Sequence, residues 1–439
     1  MSEIGAIQDR GVRAVRLLYT DLHGIARGKD IPISKFEALA EEGVAFCAAV
    51  MATDLRHTPV VGGEEGYVDF SVRPDPATLR VLPWQPDVAW CVGDAMLPDG
   101  SGPAPTCPRG LLRRVADRYA ERGLEPLVGP ELEFFLLERD ASAPGGLRRY
   151  VDELSRVYTV GPISDPRGIV LDMLYACEQL DLRVFAANHE FMNSQYEINI
   201  EHSAALDAAD RGFLLKTAIK ELAARQAMVA TFMGKPFNDQ GGSGFHVHIS
   251  VGKNGSNAFD TGGDPHDLGS PRGSFVAGLL EHGPALTALL SPTVNAYKRL
   301  VPDSLAPTHV NWGLDNRTAY VRVPNEHGSR SRIEVRGGDG SACVHLAVAG
   351  LLLAGLDGIE RELQPSAPVG GDAYRAEAAG TPLPRDLGAA LDALEADEWL
   401  RAGLGDGLVE TFLAVKRFEL DRFSQWVTDW ELDEYARHL

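Results

Sequence analysis

Three short segments of the chain combine an apolar face with a face of charged or histidine side chains at alternate positions. The segments are residues 129–136, 241–250 and 332–336. Because residues i and i+2 of a β-strand point to the same side of a sheet, this alternation predicts strands with one polar and one apolar face. The polar residues are Glu131, Glu133, His246, His248, Arg332, Glu334 and Arg336. Their neighbours, such as Leu132, Phe245 and Val335, are apolar and are expected to face a core.

Polar faces of this composition favour a site for cations and phosphate, because a half-buried carboxylate costs free energy unless it is paired with positive charge. The candidate cation ligands are Glu131, Glu133, Glu190, Glu197, His246 and Glu334. Five carboxylates with one imidazole suit Mg²⁺ or Mn²⁺ better than a thiolate-rich zinc site. Any one of these glutamates could be an ordinary solvated surface residue. Solvation at the surface explains the whole set poorly, because the residues that alternate with these ligands along the strands are apolar.

Several arginines are candidates for binding carboxylate or phosphate, since a guanidinium binds both in a bidentate way and stays charged when buried. They are Arg299, Arg317, Arg322, Arg332 and Arg336. The alternative for each is a surface ion pair. For Arg332 and Arg336 we favour function, because they flank Glu334 on one strand face. The glycine-rich run at 241–244 permits a close approach of the backbone to a ligand.

The composition excludes two classes of partner. The 439 residues carry a formal net charge of −20, whereas a nucleic-acid-binding protein presents a basic surface. The longest apolar run, residues 346–356, is too short to span a bilayer and is expected to form a buried helix. Residues 1–10 show no secretion signal, and the five cysteines show no paired spacing, which is typical of reduced thiols. We therefore predict a cytoplasmic protein.

Turn and breaker residues suggest how the chain is organised. Residues 12–19 and 25–31 are strand-like and flank a turn, which predicts a hairpin. A helix is predicted over residues 34–42 with Ser34 as its N-cap. Proline and glycine cluster in residues 97–108, and this composition shift is typical of a domain boundary. We predict one domain over residues 1–100 and a second over residues 101–439.

The polar segments resemble the motifs of the glutamine synthetase superfamily, in the same order along the chain. They read GPELEFF (129–135), HEFMNSQYEIN (189–199), GGSGFHVHIS (241–250), AYKRLVP (296–302), DNRT (315–318) and RIEVR (332–336). The N-terminal hairpin and residues 427–432 fit as well, so the resemblance covers nearly the whole chain. It implies an α+β fold, with a small N-terminal β-grasp-like domain and a large catalytic domain built on a curved antiparallel sheet.

The resemblance also implies a role for each matched residue. The ligands of the cation nearer the acceptor carboxylate would be Glu133, Glu190 and Glu197. The ligands of the cation on the nucleotide phosphates would be Glu131, His246 and Glu334. ATP would be bound by His248, Ser250 and Arg332. L-Glutamate would be bound by Gly242, Arg299 and Arg336. Arg317 would stabilise the transferring phosphoryl group.

The implied reaction uses ATP to convert the γ-carboxylate of glutamate into an acyl phosphate, from which an amine displaces phosphate. Two or three Mg²⁺ or Mn²⁺ ions per site and several arginines suit the charge of such a transfer. The resemblance further implies a homo-dodecamer of two hexameric rings, in which the N-terminal domain of one subunit completes the site of the next.

Two residues depart from the glutamine synthetases that use ammonia. Cys47 stands where those enzymes carry Asp, and Leu305 stands where they carry Glu; the two acids bind ammonium and remove its proton. Gly241 also replaces an Asn. Because ammonia is mostly protonated at neutral pH, a site without these acids should use it poorly. Cys47 and Leu305 are therefore expected to line a pocket for an organic amine.

The sequence thus predicts an ATP-dependent ligase that joins the γ-carboxylate of L-glutamate to a primary organic amine. It resembles the γ-glutamylamide synthetases for polyamines, ethanolamine or alkylamines. Two alternatives stay open: a glutamine synthetase that uses ammonia, and a non-catalytic sensor or assembly protein. A different acceptor acid is a further variant, although Arg299 and Arg336 favour glutamate.

Overall fold

The computed structural model describes residues 3–64, 66–151, 156–260, 262, 268–269, 271–375 and 380–439. Its strands are β1 (Ala14–Thr20), β2 (Ala26–Pro32), β3 (Val44–Cys47), β4 (Asp69–Pro74), β5 (Arg80–Leu82), β6 (Gln85–Met96), β7 (Leu124–Arg139), β8 (Leu147–Arg149), β9 (Val184–His189), β10 (Gln195–Ile200), β11 (Ser203–Ala204), β12 (Met228–Thr231), β13 (Gly244–Lys253), β14 (Ser256–Asn257), β15 (His309–Val310), β16 (Trp312–Leu314), β17 (Val321–Val323), β18 (Ile333–Asp339) and β19 (Thr381–Pro382). Its helices are α1 (Glu3–Asp9), α2 (Ile33–Glu42), α3 (Pro108–Ala120), α4 (Ile169–Gln179), α5 (Ala205–Arg225), α6 (Arg272–Glu281), α7 (Gly283–Leu290), α8 (Val344–Glu360), α9 (Leu387–Ala396), α10 (Glu398–Leu404), α11 (Asp406–Ser424) and α12 (Asp429–Tyr435).

The first six strands form an N-terminal sheet in the order β2-β1-β6-β4-β3, with β5 paired to β6. Strands β1 and β2 are antiparallel, which confirms the predicted hairpin, and β1 runs parallel to β6. The predicted N-cap at Ser34 is wrong. Helix α2 begins at Ile33 directly after β2, and Pro32, with φ of −54°, stands at the N-cap without a side-chain hydrogen bond. The fixed φ of proline lets the strand turn straight into the helix.

The larger sheet has eleven strands, with the main path β16-β17-β18-β13-β7-β10-β9. The long strand β7 lies in its middle and pairs antiparallel with β13 and β10. The pair β16–β17 is parallel, so the sheet is mixed but mainly antiparallel. This arrangement confirms the predicted α+β class with a curved sheet.

One hydrophobic core joins the two sheets. Leu18 and Trp90 of the N-terminal sheet belong to the same buried cluster as Phe134 and Phe245 of the larger sheet. The opposite face of the N-terminal sheet packs into a second cluster. The division of the chain at residue 100 stays a prediction.

The apolar run at 346–356 lies within α8, whose residues 344–358 are buried, and this confirms the expected buried helix. None of the described helices is long and apolar enough to cross a membrane.

Candidate active site

Neighbouring strands of the larger sheet place their polar residues side by side. The directly paired residues are His246 with Glu131, His248 with Glu334, and Glu133 with Glu197. Directly paired residues on neighbouring strands point to the same face. The carboxylates and histidines of four strands, β7, β10, β13 and β18, therefore share one face of the sheet.

This face borders a cavity of about 670 Å³, which we call the acidic cavity. The predicted site residues that line it are Glu131, Glu133, Glu190, Glu197, Gly242, His246, His248, Arg299, Leu305, Arg317, Arg332, Glu334 and Arg336. Ser250 lines an adjoining cavity of about 460 Å³, the side cavity, which shares Glu131, His248 and Arg332 with the first. Cys47 lies apart from both, exposed on the edge strand β3.

The first group of candidate ligands is Glu131, His246 and Glu334, which offer one donor atom each within 4.8 Å of one another. Arg322 Nη1 donates to Glu334 Oε2 at 2.6 Å, and Arg336 donates to the other oxygen of Glu334. Burial alone would raise the pKa of Glu334, but Arg336 and the two nearby histidines outweigh it and bring the pKa to about 2. Glu334 is therefore an anion at any physiological pH.

The second group is Glu133, Glu190 and Glu197. The Gly244 N–H donates to Glu133 Oε2 at 2.7 Å. Burial, followed by the charge of Glu133, raises the pKa of Glu190 to about 7. Burial, followed by the charges of Glu131 and Glu133, raises the pKa of Glu197 well above its usual value. The raised pKa values indicate that these crowded carboxylates have too little positive charge nearby to compensate their own.

The donor sets fit divalent cations. Both groups consist of carboxylate oxygens, with a single imidazole in the first, and this is the chemistry of Mg²⁺ and Mn²⁺ sites. A cation beside Glu190 and Glu197 would remove the repulsion that raises their pKa values.

Arg299 is suited to bind an anion in the acidic cavity. Its side chain is buried, and its Nη1 has no hydrogen-bond partner among the described residues. Burial lowers the pKa of Arg299, which is the expected result when a guanidinium lacks a close counter-ion. A β-carbon on Gly242 would lie 2.9 Å from Arg299 Cγ and 2.2 Å from the Gly234 carbonyl oxygen. Only glycine fits there, and it leaves Arg299 open to the cavity.

The residues toward the side cavity form a hydrogen-bonded chain. Arg332 Nε donates to His248 Nδ1 at 3.2 Å and Arg332 Nη2 donates to Glu326 at 3.1 Å. Because His248 Nδ1 accepts, its proton is on Nε2, which faces Glu131 Oε2 at 3.4 Å. The ring of His248 is thus fixed between the cation ligands and the side cavity that contains Ser250.

Leu305 brings an apolar side chain to the acidic cavity. The residue is 41% exposed and has a φ of +58°, a backbone conformation that is uncommon for residues other than glycine and costs about 1 kcal/mol. Tyr158, Phe191 and Met192 line the same cavity. The cavity therefore combines a charged floor with apolar side chains.

Sequence reasoning missed the amides that position the carboxylates. Gln195 Nε2 donates to Glu133 Oε2 at 2.7 Å and to the Gly242 carbonyl oxygen at 3.0 Å. Asn188 Nδ2 donates to Glu190 Oε1 at 2.7 Å, and Asn199 donates to Glu197. The alternation that predicted the acids contains this signal as well, since Gln195, Glu197 and Asn199 are alternate residues of β10.

Comparison with known proteins places this geometry in a family. Residues 105–435 match the family described as the glutamine synthetase catalytic domain. A glutamine synthetase of Thermotoga maritima is 35% identical over 448 residues, covering 98% of this chain and 97% of that protein. One from Methanocaldococcus jannaschii is 36% identical over 448 residues, covering 98% and 96%.

Solved structures of GmaS, a gamma-glutamylmethylamide synthetase, have the same fold. The structure of a GmaS complex with ADP is 31% identical to this chain, covers 100% of both chains and superposes with a TM-score of 0.89. GmaS without ligand is 32% identical, covers 99% of both chains and has a TM-score of 0.87. The fold predicted from the sequence motifs is therefore confirmed.

Proposed function

The chain belongs to the glutamine synthetase family, and from this premise we propose that it is an ATP-dependent ligase joining the γ-carboxylate of L-glutamate to a primary organic amine in the cytoplasm. The family uses glutamate, ATP, divalent metals and a nitrogen donor. The observation that carries the proposal is the position of Leu305, an uncharged side chain on the cavity that contains the cation ligands. The likeness to GmaS supports a small amine.

Two sets of residues would hold the cations. Glu131, His246 and Glu334 would hold the cation on the nucleotide phosphates. Glu133, Glu190 and Glu197 would hold the cation beside the acceptor carboxylate. The bound cations would neutralise charge on the phosphoryl oxygens and on the carboxylate.

Arg299 and Arg336 would bind glutamate. Arg299 has an unpartnered buried N–H on the cavity, as described above, and Gly242 leaves space beside it. Arg336 Nε donates to the Arg317 carbonyl oxygen at 3.0 Å, which fixes the plane of its guanidinium. Two guanidinium groups would hold an amino acid in one orientation, and this is a large part of catalysis for a transfer between two substrates.

Arg317 would act on the phosphoryl group. Its side chain lines the acidic cavity, is exposed, and has no ion pair in the described part of the chain. An exposed guanidinium without an ion pair can stabilise the charge that develops on phosphoryl oxygens during transfer. His248, Ser250 and Arg332 would hold ATP at the junction of the two cavities.

The apolar side chains on the acidic cavity would favour an organic amine as the nucleophile. An amine must lose its proton before it attacks the γ-glutamyl phosphate. Desolvation beside Leu305 lowers the pKa of an amine and so favours its uncharged form. An apolar wall also contributes binding energy for a carbon substituent, which ammonia lacks.

Cys47 would contribute to the site of a neighbouring subunit, because within one chain it lies outside both cavities. This arrangement belongs to the proposed homo-dodecamer of two hexameric rings. Sedimentation velocity of the purified protein should then show a species far heavier than the 47.4 kDa chain. A fully active monomer would contradict the shared site.

A glutamine synthetase that uses ammonia is the second candidate, because sequence relatives at 33–36% identity are named glutamine synthetase. The test is turnover with ammonium, methylamine, ethanolamine, isopropylamine and putrescine at matched concentrations. Phosphate release and the mass of the γ-glutamyl product are both measured. We expect an organic amine to exceed ammonium. A clear preference for ammonium would support the second candidate, and no product with any amine would favour the non-catalytic sensor or assembly protein.

A further inference from the structure

Lysine is rare in this chain, and three of its eight lysines line one cavity. This cavity of about 260 Å³ lies outside the proposed active site, between the turn of the N-terminal hairpin and helices α5 and α11. We call it the basic pocket and define it by His23, Lys216, Lys220, Thr231, Thr293 and Lys416. The proposed ligase reaction assigns no role to these residues.

The pocket differs in charge from the rest of the molecule. Across the described residues, no aspartate or glutamate lines it, although the chain has 62 acidic residues and a net charge of −20. Grouped ammonium ions without lining carboxylates create a positive potential that attracts anions.

Two of the lysines form no direct ion pair with a carboxylate of the described residues, although the charges of Asp339 and Asp21 act on Lys216 from further away. Lys216, only 5% exposed, donates from Nζ to the carbonyl oxygens of Gly340 at 2.7 Å and Ala342 at 2.9 Å. Lys220 has no hydrogen bond or ion pair among the residues that the structure describes. The two Nζ atoms lie 5.4 and 5.6 Å from the centre of the same Phe232 ring. Two like charges around one ring repel each other, and an anion between them would offset that repulsion.

The positive charge of Lys416 is already compensated by a carboxylate. Its Nζ lies 3.2 Å from Glu419 Oε2 and donates to His23 Nδ1 at 3.2 Å. His23 Nε2 donates in turn to the Thr53 carbonyl oxygen at 2.9 Å. Lys416 and His23 therefore form a fixed wall, whereas Lys216 and the exposed Lys220 are the lysines of the pocket that are not paired with a carboxylate in the described part of the chain.

Two threonines add neutral donors. Thr231 Oγ1 accepts from the Met233 N–H at 3.2 Å, and Thr293 Oγ1 accepts from the Ala296 N–H at 3.2 Å. Neither hydroxyl donates to an acceptor within the described residues, so both protons are available to a ligand. Ammonium and hydroxyl donors around one small space are the donor set for carboxylate, sulfate or phosphate oxygens.

We propose that the basic pocket binds a small dianion, a dicarboxylate or a phosphate ester of similar size, with Lys216 and Lys220 as its charged contacts. The volume of the pocket excludes larger ligands, and Ile25, Phe232 and Pro292 provide an apolar wall for a short carbon skeleton. Because Lys216 binds the loop that follows β18, the bound anion would lie close to the strand that carries Glu334 and Arg336.

The test is calorimetric titration of sulfate and of succinate into the full-length protein. Mg²⁺, a non-hydrolysable ATP analogue and glutamate are present throughout, so that the active site is occupied. We expect the wild type to bind at least one of the two anions. Lys220→Gln should weaken binding roughly tenfold, the effect of losing one charge-assisted contact. Lys253→Gln, an exposed lysine at the end of β13, is the matched control and should bind as the wild type does.

A second readout concerns Lys216. Burial, followed by the charge of Lys220, lowers the pKa of Lys216 to about 7, against the opposing effects of Cys343, Asp339 and Asp21. A bound dianion would raise this pKa, so binding at neutral pH should take up protons. Sulfate itself does not titrate near neutral pH. Proton uptake by the protein would therefore make the measured enthalpy of sulfate binding depend on the ionisation enthalpy of the buffer.

Each result decides the proposal. Absence of binding by both anions at millimolar concentration, or equal binding by Lys220→Gln and the wild type, would overturn it. Binding without proton uptake would show that the anion does not contact Lys216 and would overturn the assigned site. None of these outcomes depends on which amine the enzyme uses.

Discussion

Met192 packs directly over Gly241: its Cε lies 3.0 Å, and its Cγ 3.2 Å, from the position that a β-carbon on Gly241 would occupy. Both residues line the acidic cavity. A side chain at position 241 would therefore push Met192 away from its present place. The pair determines the shape of one wall of the cavity.

Gly241→Asn should impair amine binding, because the displaced Met192 side chain moves into the cavity. We expect the KM for the preferred amine to rise about tenfold, in line with the cost of overpacking, with a smaller change in kcat. Steady-state kinetics measure both constants. Adding Met192→Ala to this variant should restore the KM in part, and an unchanged KM in Gly241→Asn would contradict the assignment of this wall to the amine.

Glu133→Gln should abolish phosphate release while the fold is retained. Glutamine keeps an oxygen that can accept from the Gly244 N–H, but it loses the charge that holds a cation. We expect a loss of roughly 100-fold or more, measured as phosphate release at saturating Mg²⁺. Glu138→Gln on the same strand is the control, since Glu138 pairs with Arg148 and Arg167. Full activity in Glu133→Gln would remove this residue from the cation site.

Arg317→Ala should lower kcat and leave the KM for glutamate nearly unchanged, because its exposed guanidinium is expected to act in the transition state. Arg299→Ala serves as the contrast and should raise the KM for glutamate, since its buried guanidinium would bind the ground state. Initial rates over a range of glutamate concentrations separate the two effects. A pure KM effect in Arg317→Ala would reassign that residue to substrate binding.

Leu305→Glu combined with Cys47→Asp should shift the enzyme toward ammonia. The two new carboxylates would attract ammonium and accept its proton, and they would make the amine pocket less apolar. The ratio of kcat/KM for ammonium to that for the preferred amine should rise about tenfold or more, as one restored charge interaction is worth roughly a factor of ten. Since Leu305 lies on the cavity within one chain, Leu305→Glu alone should give part of the shift. A ratio that stays constant in both variants would refute the role of these positions.

The stability of the fold should depend on His282 in a pH-dependent way. His282 Nδ1 lies 2.6 Å from Asp397 and Nε2 lies 3.0 Å from Asp357. Burial alone would lower the pKa of His282, but the two carboxylates raise it above 6.5. The stabilising contribution is therefore fully present below about pH 6.5 and is lost as the pH rises through the raised value.

His282→Gln should consequently lower the Tm more at pH 6 than at pH 9, as thermal unfolding of both proteins at the two pH values will show. His438→Gln, at an exposed histidine near the C-terminus, should leave the pH dependence unchanged. An equal loss at both pH values would mean that His282 contributes by packing and not by charge.

The sequence determined which residues share a strand face. Glu131 with Glu133, and His246 with His248, follow from the two-residue period of a strand, which is a local property of the backbone. The same period contains Gln195 and Asn199, whose amides donate to Glu133 and Glu197. Glu190 and Arg299 lie outside such alternation, and their candidate roles came from the resemblance of whole motifs to a known family.

Tertiary structure decided which faces meet. Glu334 reaches His246 and His248 only because β18 pairs with β13, with a register shift between Phe245 and Val247. No local pattern encodes this shift. Tertiary structure also left Cys47 outside the cavity that contains Leu305.

The basic pocket is the clearest feature that only the packing of distant segments creates. Lys216 and Lys220 are four residues apart on α5 and so share a helix face, but no local pattern relates them to Lys416. The pocket exists because the N-terminal hairpin, α5, β12 and α11 pack together. A strand period follows from the conformation of neighbouring residues, whereas the contact of segments about 200 residues apart follows from the packing of a common core. The period can be read from the sequence, and the contact only from the folded chain.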